Sequence, residues 1–247
     1  MDNYSKIIGE FEIHSADGIR TCFLNGVDPN QIHRGKPLVY ELINMYLRSP
    51  RFKNCMQVFV EFGLKFEDEA LLAVLLDDGP KLEDFLNKNT SIISKKYTLD
   101  STFTPLFDAT LLHICAEYNH LECAEILVKF GADVNAKAGV DIHGFGGQTP
   151  VFHTVNQHQN ASMEMLKFLI AKNTDLGLTV RGLIWGKGYD WETYIPAVNP
   201  TSYAMMGLLR QFQRTEKDIY EIVNILMKAT YNLDYEPKNI PNKYLNN

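Results

Sequence analysis

Apolar residues recur along this chain in short helical stripes, each closed by a glycine or an asparagine. Val58-Phe59-Val60, Ile126-Leu127-Val128 and Phe168-Leu169-Ile170 end three of them. A polar turn follows each: Gly63-Leu64-Lys65, Gly131-Ala132-Asp133-Val134-Asn135 and Asn173-Thr174-Asp175-Leu176. The second of these repeats an earlier phrase, Gly26-Val27-Asp28-Pro29-Asn30. A glycine there fits a left-handed helix stop. Another phrase opens the units: Lys36-Pro37-Leu38, Thr110-Leu111-Leu112-His113, Thr149-Pro150-Val151-Phe152 and Asn199-Pro200-Thr201. Proline suits a first helical turn, where its missing N–H has no partner to lose, and threonine before it caps that turn. The pattern predicts a helix, a tight turn, a second helix, a glycine stop and an extended finger. The 21 positions from Thr110 to Gly131 hold two helices of about eight to ten residues each.

The segment Thr110-Leu111-Leu112-His113, Ala116, Asn119-His120, Leu127-Val128, Gly131-Ala132-Asp133-Val134-Asn135 resembles an ankyrin repeat. It departs from that pattern at Leu111 (proline in the family), Asn119 (glycine) and Ala124 (valine). Asparagine tolerates the left-handed turn nearly as glycine does. The resemblance implies an all-α solenoid of about six helix-turn-helix repeats, near 11–30, 35–66, 67–90, 108–136, 147–176 and 197–231. These form a single domain over 1–235, with a polar tail at 236–247. The openers Thr110, Thr149 and Asn199 are 39 and 50 residues apart, against about 33 for a plain repeat. Two fingers, 136–148 and 177–198, are therefore enlarged, and insertions in a solenoid map to loops on a binding face.

Composition narrows the function. The 247 residues carry a net charge of −6, so the basic stripe of a nucleic-acid reader is missing. The densest charge run is acidic: Glu67, Asp68, Glu69, Asp77, Asp78, Glu83 and Asp84. It reads as solvated helix surface. The start of the chain shows no apolar leader core, and the longest apolar run, 70–76, is too short to span a bilayer. Cys22, Cys55, Cys115 and Cys123 lack metal-type spacing and read as reduced, buried thiols of a cytoplasmic protein. Neither a metal nor a cofactor is expected. His113, Cys115, His120 and Cys123 do not share a helix face. Gly144-Phe145-Gly146-Gly147 and Gly186-Lys187-Gly188 lack the strand, helix and GK[ST] setting of a phosphate loop. By the resemblance, His113 is scaffold, bonding its own threonine and the neighbouring finger.

The resemblance implies a non-enzymatic module that binds another protein through finger tips and exposed first-helix positions. Carried onto this chain, those positions are Phe107, Glu117, Tyr118, Phe145, Gln148, Asn156 and Gln157. The finger 183–196 holds both tryptophans and adds Trp185, Tyr189 and Trp191, either as an interface or as a cover folded over the edge of the stack. A bacterial adaptor or immunity-type inhibitor is one specific version. The rival is an enzyme or small-ligand binder using Asp141, His143, Asp190 and Glu192 on the enlarged fingers. A monomer is expected. A homodimer would form through the stripe Ile219, Ile222, Val223 and Leu226.

Overall fold

The computed structural model describes residues 3–206 and 214–234. Helices α1 (Asn3–Glu12) and α2 (Ala16–Leu24) lie against each other, and α4 (Phe52–Glu61) packs on α2. Between them come a small hairpin, β1 (Ile32–His33) with β2 (Lys36–Pro37), and the short helix α3 (Val39–Ile43). Next are α5 (Glu69–Leu76) and α6 (Gly79–Lys88), then a hairpin of β3 (Tyr97–Leu99) and β4 (Leu106–Ala109). The pair α7 (Leu111–Tyr118) and α8 (Leu121–Lys129) follows, with α5 against α7 and α6 against α8. A 3-10 turn at Pro150–His153, helix α9 (Met163–Ala171), the hairpin β5 (Val180–Trp185)/β6 (Thr193–Val198), and helices α10 (Pro200–Ala204) and α11 (Glu216–Tyr231) complete the order.

One contiguous apolar core runs through these layers. Helix α5 is apolar on every side and buried from Ala70 to Leu75, as a helix enclosed by neighbours must be. All eight residues of α7 are buried. The acidic run around α5 and α6 does more than face solvent. Asp68 accepts from the Leu71 N–H at 2.9 Å and Asp78 from Lys81 N–H at 3.0 Å, capping the two helices. Asp77 ends α5 in the left-handed conformation and accepts from Cys123 N–H at 3.1 Å.

The expectation of an all-α solenoid of about six regular repeats is overturned. Three two-stranded antiparallel sheets are present among the described residues, so the fold mixes helix with strand. The fingers are long and rich in aromatic and β-branched residues, and they close into hairpins. In the longest, Val180 pairs with Val198 and Trp185 with Thr193. The helices are uneven too. Helices α3 and α10 have five residues each, and the first helix expected after Thr149 is a single 3-10 turn. That turn ends at Thr154, and farther along Gln159 and Asn160 take left-handed φ values in succession (46° and 53°), which no helix spans. At the other end, α1 begins at Asn3, ahead of the first expected repeat. The stripe Ile219, Ile222, Val223 and Leu226 of α11 is buried in the stack, not turned outward. The tail at 236–247 lies outside the described residues.

The repeated turn phrase has a definite job. Asn30 and Asn135 each reach the turn of the following unit. Asn30 accepts from Lys65 N–H at 2.7 Å and donates to Gly63 O at 2.9 Å. Asn135 accepts from Asp175 N–H at 2.7 Å and from the Thr174 hydroxyl at 3.3 Å. Asp28 and Asp133 fold each asparagine back by accepting its own N–H at 2.8 Å. These side chains tie one turn to the next.

Candidate functional site: a cleft walled by three fingers

The fingers that precede and follow α7 and α8 are joined edge to edge. Gly139 N–H donates to Phe107 O at 2.9 Å, linking the finger 136–148 to β4. Gly146 N–H donates to Gly182 O at 2.9 Å, linking the same finger to β5. Gly186 N–H donates to Thr102 O at 3.1 Å, closing the ring back onto the β3–β4 hairpin. Gly146 is required at its position: φ is +111° and a Cβ would lie 2.3 Å from Gly139 O.

The ring encloses a cleft of about 430 Å³, within the size range of natural ligand pockets. Its walls include Phe107 from the first finger, Asp141 and Phe145 from the second, and Ile184, Lys187 and Tyr189 from the third. Asn44, at the end of α3, contributes to its wall. Asn44 and Tyr189 also border a wider recess of about 880 Å³ that includes Glu41, Tyr46, Phe103 and Trp191. Cleft and recess are therefore neighbours that share these two residues as wall.

The ten positions expected to meet a partner divide sharply. Phe107, Tyr189 and Trp191 are exposed, at 48%, 47% and 44%. Tyr189 and Trp191 stack on each other with centroids 5.1 Å apart. Phe145 is half-buried between Tyr194 and the Arg181 guanidinium. Trp185 is half-buried as well. Its indole N–H donates to the Tyr203 hydroxyl at 2.6 Å, and that hydroxyl also bonds Thr104 at 2.8 Å. The aromatic finger is thus a cover at Trp185 and open surface at Tyr189 and Trp191.

The remaining five positions do not face outward as expected. Glu117 is buried between Arg48 Nε at 2.7 Å and His153 Nδ1 at 2.8 Å. Burial pushes its carboxyl up, but the Arg48 guanidinium and His153 outweigh that and hold it below its ordinary value. Tyr118 is buried, stacked on Phe52 at 4.2 Å, and donates to Ile43 O at 2.7 Å. The Gln148 amide is buried and donates to Pro105 O at 2.5 Å. Gln157 is buried and donates to His153 O at 2.8 Å. Asn156 is half-buried and accepts from Arg214 at 3.1 Å. The physical reason lies in the segment between α3 and α4, which carries Arg48 across onto the first-helix face of α7. Arg214 seals the next stretch by donating to Val155 O at 3.2 Å and Ala204 O at 2.7 Å.

The histidines and cysteines form scaffold. His113 Nδ1 meets the Thr110 hydroxyl at 2.8 Å and its Nε2 meets Gln148 O at 3.1 Å, so this side chain links its own helix start to the next finger. Burial, and then neighbouring His153, push its pKa well below the ordinary value. His120 bonds Val74 O at 2.7 Å and Cys123 bonds Ala73 O at 3.6 Å. Among the four acid/base candidates, only Asp141 reaches the cleft wall. Its carboxylate is committed to its own turn, accepting from Phe145 N–H at 2.9 Å and His143 N–H at 2.8 Å. Glu192 accepts from Gly188 N–H at 2.8 Å at the hairpin tip. Sequence reasoning missed Glu41, Tyr46 and Phe103. The exposed aromatics at the fingers were a usable signal, but nothing in the spacing placed residues 41–46 beside residues 103 and 191.

The α7–α8 unit, with its capping box at Thr110, left-handed Asn119 and glycine stop at Gly131 (φ +93°), defines a stacked helix-turn-helix repeat. This unit is similar to an ankyrin repeat. The family model described as Ankyrin repeat matches residues 107–138. No curated protein matches the chain by sequence. Among the described residues, no helix is long and apolar enough to cross a membrane.

Proposed function

We propose that this chain is a non-enzymatic protein-binding module and that its docking surface is the finger edge. The observation that carries the reading is the hydrogen-bonded ring of three fingers. It holds Phe107, Tyr189 and Trp191 exposed around a preformed cleft and its neighbouring recess. Exposed aromatics on a pre-ordered frame lose little entropy on docking and supply most of the contact energy at interfaces. The ankyrin-repeat match at 107–138 supports the same reading, since such repeats generally mediate protein contacts. Asp141 is committed to its own turn and Asp100 is paired with Lys36, so neither carboxylate of the cleft wall is free for acid/base work. Four buried free thiols fit a reducing compartment such as cytoplasm. An intracellular adaptor or immunity-type inhibitor is consistent with these features.

The test is affinity capture with the tagged full chain, comparing wild type, the triple variant Phe107→Ala/Tyr189→Ala/Trp191→Ala, and Glu164→Ala on the exposed side of α9. The partner is expected with wild type and Glu164→Ala and lost with the triple variant. Equal capture by all three would refute the finger edge as the docking surface.

A further inference from the structure

We propose that the recess beside the cleft receives a cationic side chain, arginine or lysine, presented on an extended segment of the partner protein. This rests on the reading of the finger edge as the docking surface and adds the chemistry of what docks there.

Tyr46, Phe103, Tyr189 and Trp191 converge on the recess together with Glu41. Phe103 lies 6.2 Å from Trp191, and Trp191 lies 5.1 Å from Tyr189, centroid to centroid. Aromatic faces carry negative charge density and attract cations within about 6 Å. This chain does place cations on rings: Lys81 and Lys88 over half-buried Phe85, Lys129 over Phe130, Lys172 over Phe168, Arg181 over Phe145, and Lys95 over buried Tyr97. None of the four rings of the recess has such a cover among the described residues.

Glu41 has the same vacancy. It forms no ion pair and no side-chain hydrogen bond among the described residues. The walls of cleft and recess together carry three carboxylates, Glu41, Asp100 and Asp141, against one cation, Lys187. Asp100 is neutralised by Lys36, and Asp141 is bound into its turn. Glu41 is thus the carboxylate left to answer an incoming charge. The chain's net charge of −6 adds long-range attraction for a basic segment. An extended chain suits the shape. With its cation over the rings, its next residues pass Asn44 and Tyr189 into the 430 Å³ cleft, where Phe107 and Ile184 offer apolar contact.

Fluorescein-labelled ten-residue peptide pools, random except for a fixed central Arg, Lys, Gln or Glu, are titrated with the full chain and read by anisotropy. The Arg and Lys pools are expected to bind about fivefold more tightly than the Gln pool, with the Glu pool weakest. Glu41→Gln and Trp191→Ala are each expected to erase the preference, while Glu164→Ala, on the exposed side of α9, keeps it. Unchanged thermal midpoints verify that the variants are folded. Arg and Lys pools that bind no better than Gln, binding by no pool, or a preference that survives both variants would each overturn the cation site. The finger-edge reading would remain intact in those cases, because it fails separately, by equal capture of partner in the triple-variant experiment.

Discussion

The first-helix face and the finger edge of this stack differ in how their polar and aromatic residues are used. On the first-helix face, the chain answers its principal charged and aromatic groups from within. Arg48, Glu117 and His153 form a buried hydrogen-bonded chain, Tyr118 is stacked and bonded, and Asn156 meets Arg214. On the finger edge, Tyr46, Tyr189, Trp191 and Phe107 lie open, and Glu41 has no partner among the described residues. Position within a repeat therefore does not decide exposure. An inserted segment such as 44–51 converts a conventional contact face into interior, and contact potential is left where the chain provides no cover.

The largest effect expected from breaking this contrast is at Glu117. Glu117→Ala leaves the Arg48 guanidinium buried without its counter-charge. Removing one partner of a buried pair costs about 3–5 kcal/mol. Urea denaturation measures it. A loss below about 1 kcal/mol would mean that the hydrogen-bonded chain does not seal this face. Because buried pairs often exchange well for apolar groups, Arg48→Met/Glu117→Leu is expected to lose much less than Glu117→Ala alone.

Acid should attack the same sealed regions next. Burial, reinforced by Arg48 and Arg51, lowers the His14 pKa to about 4, and burial, against the pull of Asp77, lowers that of His120 to about 4. Each unfolded histidine takes up a proton near pH 6.5, while each folded one resists until about pH 4. The unfolded chain therefore binds more protons in that window, and stability must fall as pH drops from 6.5 to 4. Each site contributes a loss on the order of 2–3 kcal/mol by pH 4. Glu117 works in the same direction at lower pH: its depressed carboxyl stabilises the fold above its unfolded value, and that support is lost as pH falls through the folded value. Replacing His120 by Gln should flatten the thermal midpoint profile between pH 6.5 and 4. An unchanged slope would sink the assignment.

Smaller again is the effect of cutting the ties between turns. Asn135→Ala removes the acceptor for Asp175 N–H and Thr174, and Asn30→Ala removes the bonds to Lys65 and Gly63. Each is expected to cost about 1–2 kcal/mol. Amide exchange should show faster opening at Asp175 or Lys65 respectively, with the finger ring unaffected. Exchange that accelerates equally at both turns in either variant would contradict two independent ties.

What was legible in the sequence follows the range of the interactions. The turn phrase, the Thr110 cap, the His113 link and the left-handed Asn119 are local or one-repeat contacts, and their residue types name their roles. Strands in the fingers left a partial signal, since 180–185 carries the β-forming Val180, Ile184 and Trp185, yet an insertion between helices reads first as a loop. The sealed face was not legible, because Arg48 and Glu117 lie 69 positions apart and only the fold brings them together. Nor was the recess, since Glu41, Phe103 and Trp191 come from three separate elements.

The smallest stability effect, and the sharpest separation of the two faces, is expected among the aromatics of one hairpin. Trp185 and Trp191 are six residues apart on the β5–β6 hairpin, but of the two only Trp185 reaches the buried Tyr203, which it bonds and meets edge-on. Trp185→Ala removes that contact and leaves the buried Tyr203 hydroxyl with Thr104 alone. A loss of about 1–3 kcal/mol follows. Trp191→Ala removes a ring that is stacked on Tyr189 in solvent, and the change should stay within about 0.5 kcal/mol. In peptide or partner binding the ranking reverses, with Trp191→Ala the damaging change. If both variants lost the same stability, Trp191 would belong to the cover, and the finger edge would be as sealed as the helix face.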